Sequence, residues 1–209
     1  MSSARSNSGF DASSPSDSQS GGSASPILET LVVFALVAIA QFLTGIVGLM
    51  GGLFVLAPPI STNPWTIVTS VYAHGSIGHI VSNSIALVIF GWPIARATTR
   101  FRFHTFFVVT GAIAGIAQVW VMGLFGTATP VLGASGAVFA LLGYLIAGNR
   151  VSESIASRVA VPGWVTLLFF LALAAVVTIA TAAPRVALVA HFIGFLLGLV
   201  AGRARVLHP

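Results

Sequence analysis

The sequence is informative first for what it lacks. It has no cysteine and no lysine, and 6% of its 209 residues are charged, against about 25% in a typical soluble domain. The absence of cysteine excludes disulfide bonds, thiol catalysis and thiolate metal sites. The scarcity of charge, together with 56% hydrophobic residues, excludes a soluble fold and predicts an all-α membrane protein.

The positive charge comes from arginine alone, and nine arginines give a net charge of +5. They occur singly or in pairs beside apolar runs, a pattern typical of the positive-inside rule. We therefore expect the arginines to set the orientation of the chain in a lipid bilayer, and we expect no nucleic-acid partner.

Residues 1–26 are rich in serine, glycine, asparagine and aspartate and have few apolar side chains. Such a segment cannot bury enough surface to fold, so we expect a disordered N-terminal tail. It lacks the apolar region that follows the basic start of a signal peptide. The folded domain is expected over residues 27–205.

Six apolar stretches follow the tail, and a membrane helix needs about 20 residues to cross about 30 Å of hydrocarbon. Breakers such as Pro58-Pro59 and Pro184 separate them. The predicted spans are 27–49, 76–96, 102–124, 133–149, 164–182 and 186–203. The sequence thus predicts a six-transmembrane-helix bundle.

The arginines orient this bundle. In a six-span arrangement only Arg185 falls on one side, and the others share the opposite side: Arg5, Arg96, Arg100, Arg102, Arg150, Arg158, Arg203 and Arg205. Both termini are therefore predicted to be cytoplasmic. The alanine- and valine-rich, lysine-free composition favours a multi-pass protein of a prokaryotic cell membrane.

Two polar residues stand out inside these spans. Gly133-Ala134-Ser135-Gly136 puts a hydroxyl at the start of the fourth span, and His191 lies in the sixth. Polar side chains at membrane depth are costly and usually face the bundle interior or a water-filled cavity. A serine and a histidine on different spans are the residue types of a nucleophile and its base.

The fourth span is short, because a helix from Ser135 to Asn149 covers only about 22 Å. Residues 126–130 before it are poor helix formers. We infer that this loop dips below the membrane surface and delivers Ser135 to a submerged helix start. Irregular backbone at that depth is tolerated only where it is buried in protein or lines a water-filled cavity. A hydrolase needs such a cavity, because water is its second substrate.

Small residues predict close packing of the fourth and sixth spans. Three glycines share a face of the sixth helix with His191, within roughly 80° of each other: Gly194, Gly198 and Gly202. Such a flank lets a neighbouring helix approach closely. The leucines at positions 197 and 199 are predicted to lie off this face. The fourth span offers small residues in return: Gly136, Ala140 and Gly143.

Acyl transfer also requires donors for an oxyanion. His79 and Asn83, four residues apart, project from one face of the second span. The backbone N–H of Ser135 at its helix start is a third candidate. Asp17 and Glu29 precede the first span and Glu153 falls in a loop. Without a carboxylate inside the spans, the sequence predicts a Ser-His dyad.

Together these residues resemble the rhomboid intramembrane serine proteases. The resemblance rests on Gly133-x-Ser135-Gly136, on Ala190-His191-x-x-Gly194 and on His74-x4-His79-x3-Asn83, in order on spans four, six and two. It implies that Ser135 is the nucleophile, that His191 is general base and then acid, and that His79 and Asn83 are oxyanion donors.

The resemblance further implies cleavage of single-pass membrane proteins near the outer membrane face, with no cofactor. The supporting residues would be Gly133, Gly136, His74, Phe139, Gly194 and Gly198. Two departures stand out: residues 50–63 hold no Trp-Arg pair, and Phe139 stands where many members have tyrosine. An aromatic face at Phe139 is still expected to pack against the imidazole.

Other functions remain open. A catalytically inactive relative would act as a membrane-protein binding or quality-control module, although such a relative would be expected to lose the serine or the histidine. A small transporter would call for charges in the spans or inverted repeats. His74 and His79 lack the third ligand that zinc normally takes, and His74 is expected to brace the outer loop. The pattern carries no signal for the oligomeric state.

Overall fold

The computed structural model describes residues 25–127, 129–148, 162–182 and 186–208, which form eight α-helices. In chain order they are α1 (Ser25–Ile46), α2 (Met50–Phe54), α3 (Thr66–Tyr72), α4 (Ile77–Ala97), α5 (Arg100–Leu124), α6 (Ser135–Gly148), α7 (Gly163–Ala180) and α8 (Leu188–Arg203). Within those ranges the only strand-like pairing is one antiparallel bridge between Leu56 and Val131. The prediction of an all-helical protein is confirmed.

Six of the helices coincide with the six predicted spans, and α2 and α3 lie between the first two. By length and composition, α1, α4, α5 and α7 can cross a membrane, with 22, 21, 25 and 18 residues. Helices α6 and α8 are apolar but shorter, with 14 and 16 residues. A helical membrane bundle is therefore confirmed, whereas six crossings and cytoplasmic termini stay predictions.

Both ends of the folded domain extend beyond the predicted limits. Ser25 and Pro26, predicted as the end of the tail, begin α1, and proline's fixed φ suits the first turn of a helix. At the other end Leu207 is buried, and its N–H donates to the hydroxyl of Tyr144 over 3.2 Å. Residues 1–24 of the predicted tail, like Arg5, lie outside the described residues.

Glu29 lies inside α1, so the prediction that it precedes the first helix is wrong. Its carboxylate accepts a hydrogen bond from the guanidinium of Arg100 and lies 2.8 Å from Nε2 of His104. Both partners belong to the first turns of α5. A carboxylate near the end of a membrane helix is tolerated because it is paired, and here it ties α1 to α5.

Helix α6 is at the centre of the bundle, where it packs against α4, α5 and α8. Its buried residues are Gly136, Ala137, Val138, Ala140, Leu141, Gly143 and Tyr144. They join a core that includes Phe34 of α1, Leu87 of α4 and Phe107 of α5. A helix that is apolar all round, as α6 is, therefore finds protein neighbours on several faces.

The contact between α6 and α8 is a contact of backbones. A Cβ added to Gly194 would collide with the carbonyl oxygen of Gly136, and one added to Gly198 would collide with that of Ala140. From the other side, a Cβ on Gly143 would collide with the carbonyl oxygen of Phe195. The predicted pairing of these two helices through small residues is confirmed.

Leu199 lies off the glycine face of α8, as predicted, but it is not exposed. Its side chain is fully buried and packs against Ala174 of α7 and Phe195. Helix α8 lies between α6 and α7, so the side of α8 away from the glycines is also covered. Because both sides of α8 are packed, neither neighbour of Gly198 is exposed, and a substitution there is not a suitable control for one at Gly198.

We predict that Gly198→Ala destabilises the protein, because the added methyl group meets the Ala140 backbone, which cannot move aside as a side chain can. Overpacking costs about 1–3 kcal/mol, and rigid neighbours favour the upper end. Thermal unfolding in detergent micelles measures the effect. Gly45→Ala in α1 is the matched control, because a Cβ there meets nothing within 4 Å; equal stability of the two variants would contradict the observed packing.

Candidate active site

Ser135 is the first residue of α6, and the loop that precedes it is held by backbone hydrogen bonds. The N–H of Gly133 donates to the carbonyl of Ser70 over 2.8 Å, and Val131 and Leu56 exchange two bonds of 2.9 Å. Gly133 has a φ of +137°, in the region that favours glycine. The glycine two residues before Ser135 is thus required by the backbone itself.

The segment between α1 and α4 is anchored although it lacks a Trp-Arg pair. The indole N–H of Trp65 donates to the carbonyl of Gly52 over 2.9 Å, and the hydroxyl of Thr69 donates to that of Leu53 over 2.6 Å. These bonds join α2 to α3 and the residue before it. With the Leu56–Val131 pair, they fix the first loop against the segment that leads to Ser135.

His191 lies in the first turn of α8 and packs against α6. Its ring stacks on Phe139 with centroids 4.1 Å apart and planes 20° apart. Phe139 follows Ser135 by four residues, so the two residues lie on the same side of α6, one turn apart. The expected packing of Phe139 against the imidazole is confirmed, and it places His191 beside the helix that begins at Ser135.

No hydrogen bond between the Ser135 hydroxyl and His191 occurs among the residues that the structure describes. Catalytic hydrogen bonds are often long before substrate binds, so this does not disqualify the pair. The Nδ1 atom of His191 is buried without a hydrogen-bond partner. Glu29, whose carboxylate is bound by Arg100 and His104 at the far end of α5, is not available to it.

His79 lies directly against Gly133. A Cβ on that glycine would lie 2.7 Å from Cε1 and 2.9 Å from Nε2 of the histidine ring. The N–H of Gly75 donates to Nδ1 of His79 over 3.5 Å. A neutral ring that accepts at Nδ1 carries its proton on Nε2, so a donor faces the loop beside Ser135.

Asn83 is one turn further along α4 and is buried. Its amide nitrogen donates one hydrogen bond to the carbonyl of His79 over 3.0 Å. Since an amide nitrogen carries two hydrogens, the second is left to donate elsewhere. The structure therefore brings His79 to the Ser135 loop and holds Asn83 against the backbone of His79.

His74 is buried between aromatic rings, with centroids 4.7 Å from Phe34 and 5.1 Å from His79. Burial, and then the neighbouring His79, lowers the pKa of His74 to about 4, so the ring is neutral at neutral pH. No group of three metal-ligating side chains occurs in the described ranges. The ring of His74 packs edge-on against that of His79, and this fits a bracing role.

Two glutamines were missed by the sequence interpretation. Gln41 in α1 bonds both the N–H and the carbonyl of His74, over 3.0 and 3.3 Å. Gln118 in α5 accepts a hydrogen bond from the N–H of Ala190, the residue before His191. The signal that would have found them is the rule used for Ser135, since an amide in an apolar span is costly unless it is bonded.

A small cavity adjoins Ser135. Among the residues that line it are Ser70, Gly111, Gly115, Ser135, Gly136 and Ala190. Its walls come from α3, α5, α6, α8 and the loop that precedes Ser135, and half of the ten lining residues are glycine or alanine. Small side chains therefore leave space beside Ser135.

Known proteins resemble this chain over most of its length. A family model described as Rhomboid domain matches residues 61–207. The chain is 30% identical to RHOMBOID-like protein 5 of Arabidopsis thaliana over 146 residues, which is 69% of this chain and 45% of that protein. It is 27% identical to RHOMBOID-like protein 4 of the same plant over 160 residues, 77% of this chain and 39% of that protein.

A shorter match, 32% identical over 95 residues, is to RHOMBOID-like protein 9, chloroplastic, of the same plant. It covers 45% of this chain and 21% of that protein. The chain thus spans less than half the length of each of these relatives. The matched region 61–207 contains Ser135, His191, His79 and Asn83.

We predict that Gly133→Ala displaces His79 and lowers the reactivity of Ser135 at least tenfold. The added methyl group requires an unfavourable backbone conformation and meets the imidazole. Labelling of Ser135 by a serine-directed fluorophosphonate measures the effect. Gly75→Ala is the control at the same site, because its Cβ would make only an ordinary contact of 3.8 Å with Leu132. Equal labelling of the two variants would show that the reactivity of Ser135 does not depend on Gly133.

Proposed function

This chain belongs to the rhomboid family, and from that premise we propose that it is an intramembrane serine endopeptidase. It cleaves the transmembrane segments of single-pass membrane proteins near the outer membrane face. The observation that carries the proposal is the stacking of His191 on Phe139, one helical turn from Ser135. The backbone contact of α6 and α8 makes that stacking possible.

In the proposed reaction, Ser135 and His191 act as a dyad. The Ser135 hydroxyl transfers its proton to His191 as Oγ forms a bond to the scissile carbonyl carbon. The resulting tetrahedral intermediate breaks its C–N bond, and His191 returns the proton to the leaving amine. Water then attacks the acyl-enzyme, again with His191 as base, and releases the carboxylate product and free Ser135.

The oxyanion of this reaction requires donors that are fixed before charge develops. His79 lies against the Gly133 loop, and its Nε2 proton faces that loop. The backbone N–H of Ser135, at the start of α6, adds a donor at the positive end of a helix. Asn83 has one amide hydrogen left after its bond to the His79 carbonyl. These groups are proposed to stabilise the oxyanion together by hydrogen bonds.

The proposed location is the cell membrane of a prokaryote, with six crossings and both termini in the cytoplasm. In support, the exposed arginines Arg96, Arg100, Arg102, Arg203 and Arg205 all lie at the end of the bundle opposite Ser135. Helix α6, with 14 residues, is about 21 Å long. If its far end reaches the cytoplasmic side, Ser135 lies below the outer surface, where the cavity beside it can admit water.

A catalytically inactive, substrate-binding relative is the alternative, and the missing hydrogen bond between Ser135 and His191 is the observation that favours it. Reconstitution into liposomes with a panel of single-pass membrane substrates distinguishes the two. We expect at least one substrate to be cut, with the cleavage site mapped by mass spectrometry to the outer end of its transmembrane segment. Binding without cleavage by the unaltered protein would favour the alternative.

Ser135→Ala and His191→Ala are each expected to abolish cleavage in this assay while the proteins stay folded. Groups that act as one unit fail together, so the double variant is expected to be no slower than either single variant. Residual rates, measured with thermal unfolding as the control for folding, decide the matter. A double variant far slower than both single variants would show that the residues act independently.

His79→Ala and Asn83→Ala are expected to reduce kcat by about 10²- to 10³-fold with little change in KM, which corresponds to about 2.7–4 kcal/mol of transition-state stabilisation. Ser82→Ala is the matched control, because Ser82 also donates to the His79 carbonyl but is exposed. Steady-state kinetics in micelles measure both parameters. A change confined to KM would assign the two residues to substrate binding.

A further inference from the structure

Helix α8 begins without a capping side chain of its own. Its N-cap residue is Ala187, which has no side-chain hydrogen bond to offer the first turn. The N–H groups of that turn lack partners within a helix and are normally satisfied by a nearby serine, threonine, aspartate or asparagine. Here the N–H of Ala190 is satisfied from another helix, because it donates to Oε1 of Gln118 over 3.1 Å.

We propose that Gln118 is a positioning residue for His191. It caps α8 from α5 and thereby fixes where the imidazole lies relative to Ser135. The inference deepens the proposed function and rests on it, because it assigns to the dyad a group that holds its base in place.

The bond is well placed for this role. Gln118 and Ala190 are both buried, with relative exposures of 6% and 4%, so the bond between them lies inside the bundle. Ala190 immediately precedes His191, and its carbonyl faces Gly136, the residue after Ser135. The bond therefore holds the backbone of α8 at the level of both proposed catalytic residues.

The glycine contact between α6 and α8 does not by itself fix the position of α8 along its axis. Backbones that touch through Gly194 and Gly198 fix the distance between α6 and α8. A glycine face, however, has few side chains that interlock and resist sliding of one helix along the other. A directional hydrogen bond at the first turn supplies the missing constraint along the helix axis.

The dyad also lacks the group that orients the base in a triad. In serine hydrolases with a third member, a carboxylate holds the histidine through Nδ1. The Nδ1 atom of His191 has no hydrogen-bond partner in the described part of the chain. Orientation must come instead from the stacking on Phe139 and from a fixed backbone, and Gln118 fixes that backbone.

Three variants of the full-length protein in micelles test the proposal. Gln118→Leu keeps the size of the side chain and removes the acceptor. Gln118→Glu retains an oxygen acceptor at the same position. Thr110→Val is the matched control, because Thr110 is a buried polar residue of α5 that bonds only carbonyls of its own helix.

Two readouts are needed: amide hydrogen exchange over residues 188–191, and steady-state cleavage kinetics. We expect Gln118→Leu to lose exchange protection in this turn and to reduce kcat by about 10- to 100-fold, since a displacement of about 1 Å can cost 10²-fold in rate. KM should stay unchanged, Gln118→Glu should recover most of the kcat, and Thr110→Val should resemble the unaltered protein.

Three results would overturn the inference: full kcat in Gln118→Leu, a change in KM alone, or equal losses in Gln118→Leu and Gln118→Glu. The exchange measurement does not depend on catalysis. If the unaltered protein cuts no substrate, the proposed function fails. Exchange alone then decides whether Gln118 caps α8, and unchanged protection in Gln118→Leu would reject the cap as well.

Discussion

The contact of α6 with α8, backbone against backbone, is the constraint on which the rest of the site depends. Gly194 and Gly198 of one helix meet the carbonyl oxygens of Gly136 and Ala140 of the other. No other residue type fits there, because any Cβ would overlap the facing backbone. The closeness of the two helices allows His191 to stack on Phe139, and it sets the proposed base beside the helix that starts at Ser135.

Polar groups in this bundle are few, and most of them bind the backbone. Gln41 holds both backbone groups of His74, and Gln118 holds the first turn of α8. Glu29 is paired with Arg100 and His104 and joins α1 to α5. An unpaired polar group buried in an apolar interior is costly, so the bonds of the buried Gln41 and Gln118 are costly to break. They act as fixed points between helices whose other contacts are non-directional.

Much of this arrangement could be predicted from the sequence, because the relevant signals are local. Apolar length located the six long helices to within a few residues, and the spacing of Gly194 and Gly198 indicated the face of α8 that meets α6. Features that depend on partners far along the chain could not be read in this way. The burial of Leu199 arises from α7 on the second side of α8, and the role of Gln118 requires a residue 72 positions away.

The two short helices show the same limit. Helices α2 and α3 have 5 and 7 residues, too few for apolar periodicity to distinguish them from loop. They are held by hydrogen bonds between them and by the Leu56–Val131 pair, which only the folded chain brings together. The serine and the histidines could be recognised from the sequence because their signal is local. A polar residue in an apolar span is costly and therefore indicates a function.

The proposed mechanism requires His191 to activate Ser135 across the α6–α8 contact. Fluorophosphonate labelling of the membrane-embedded protein, with the adduct mapped by peptide mass spectrometry, tests it most directly. One adduct is expected, on Ser135, which forms in the unaltered protein and is lost in His191→Ala. Labelling of Ser135 at the same rate without His191, or no adduct on Ser135 at all, would contradict it.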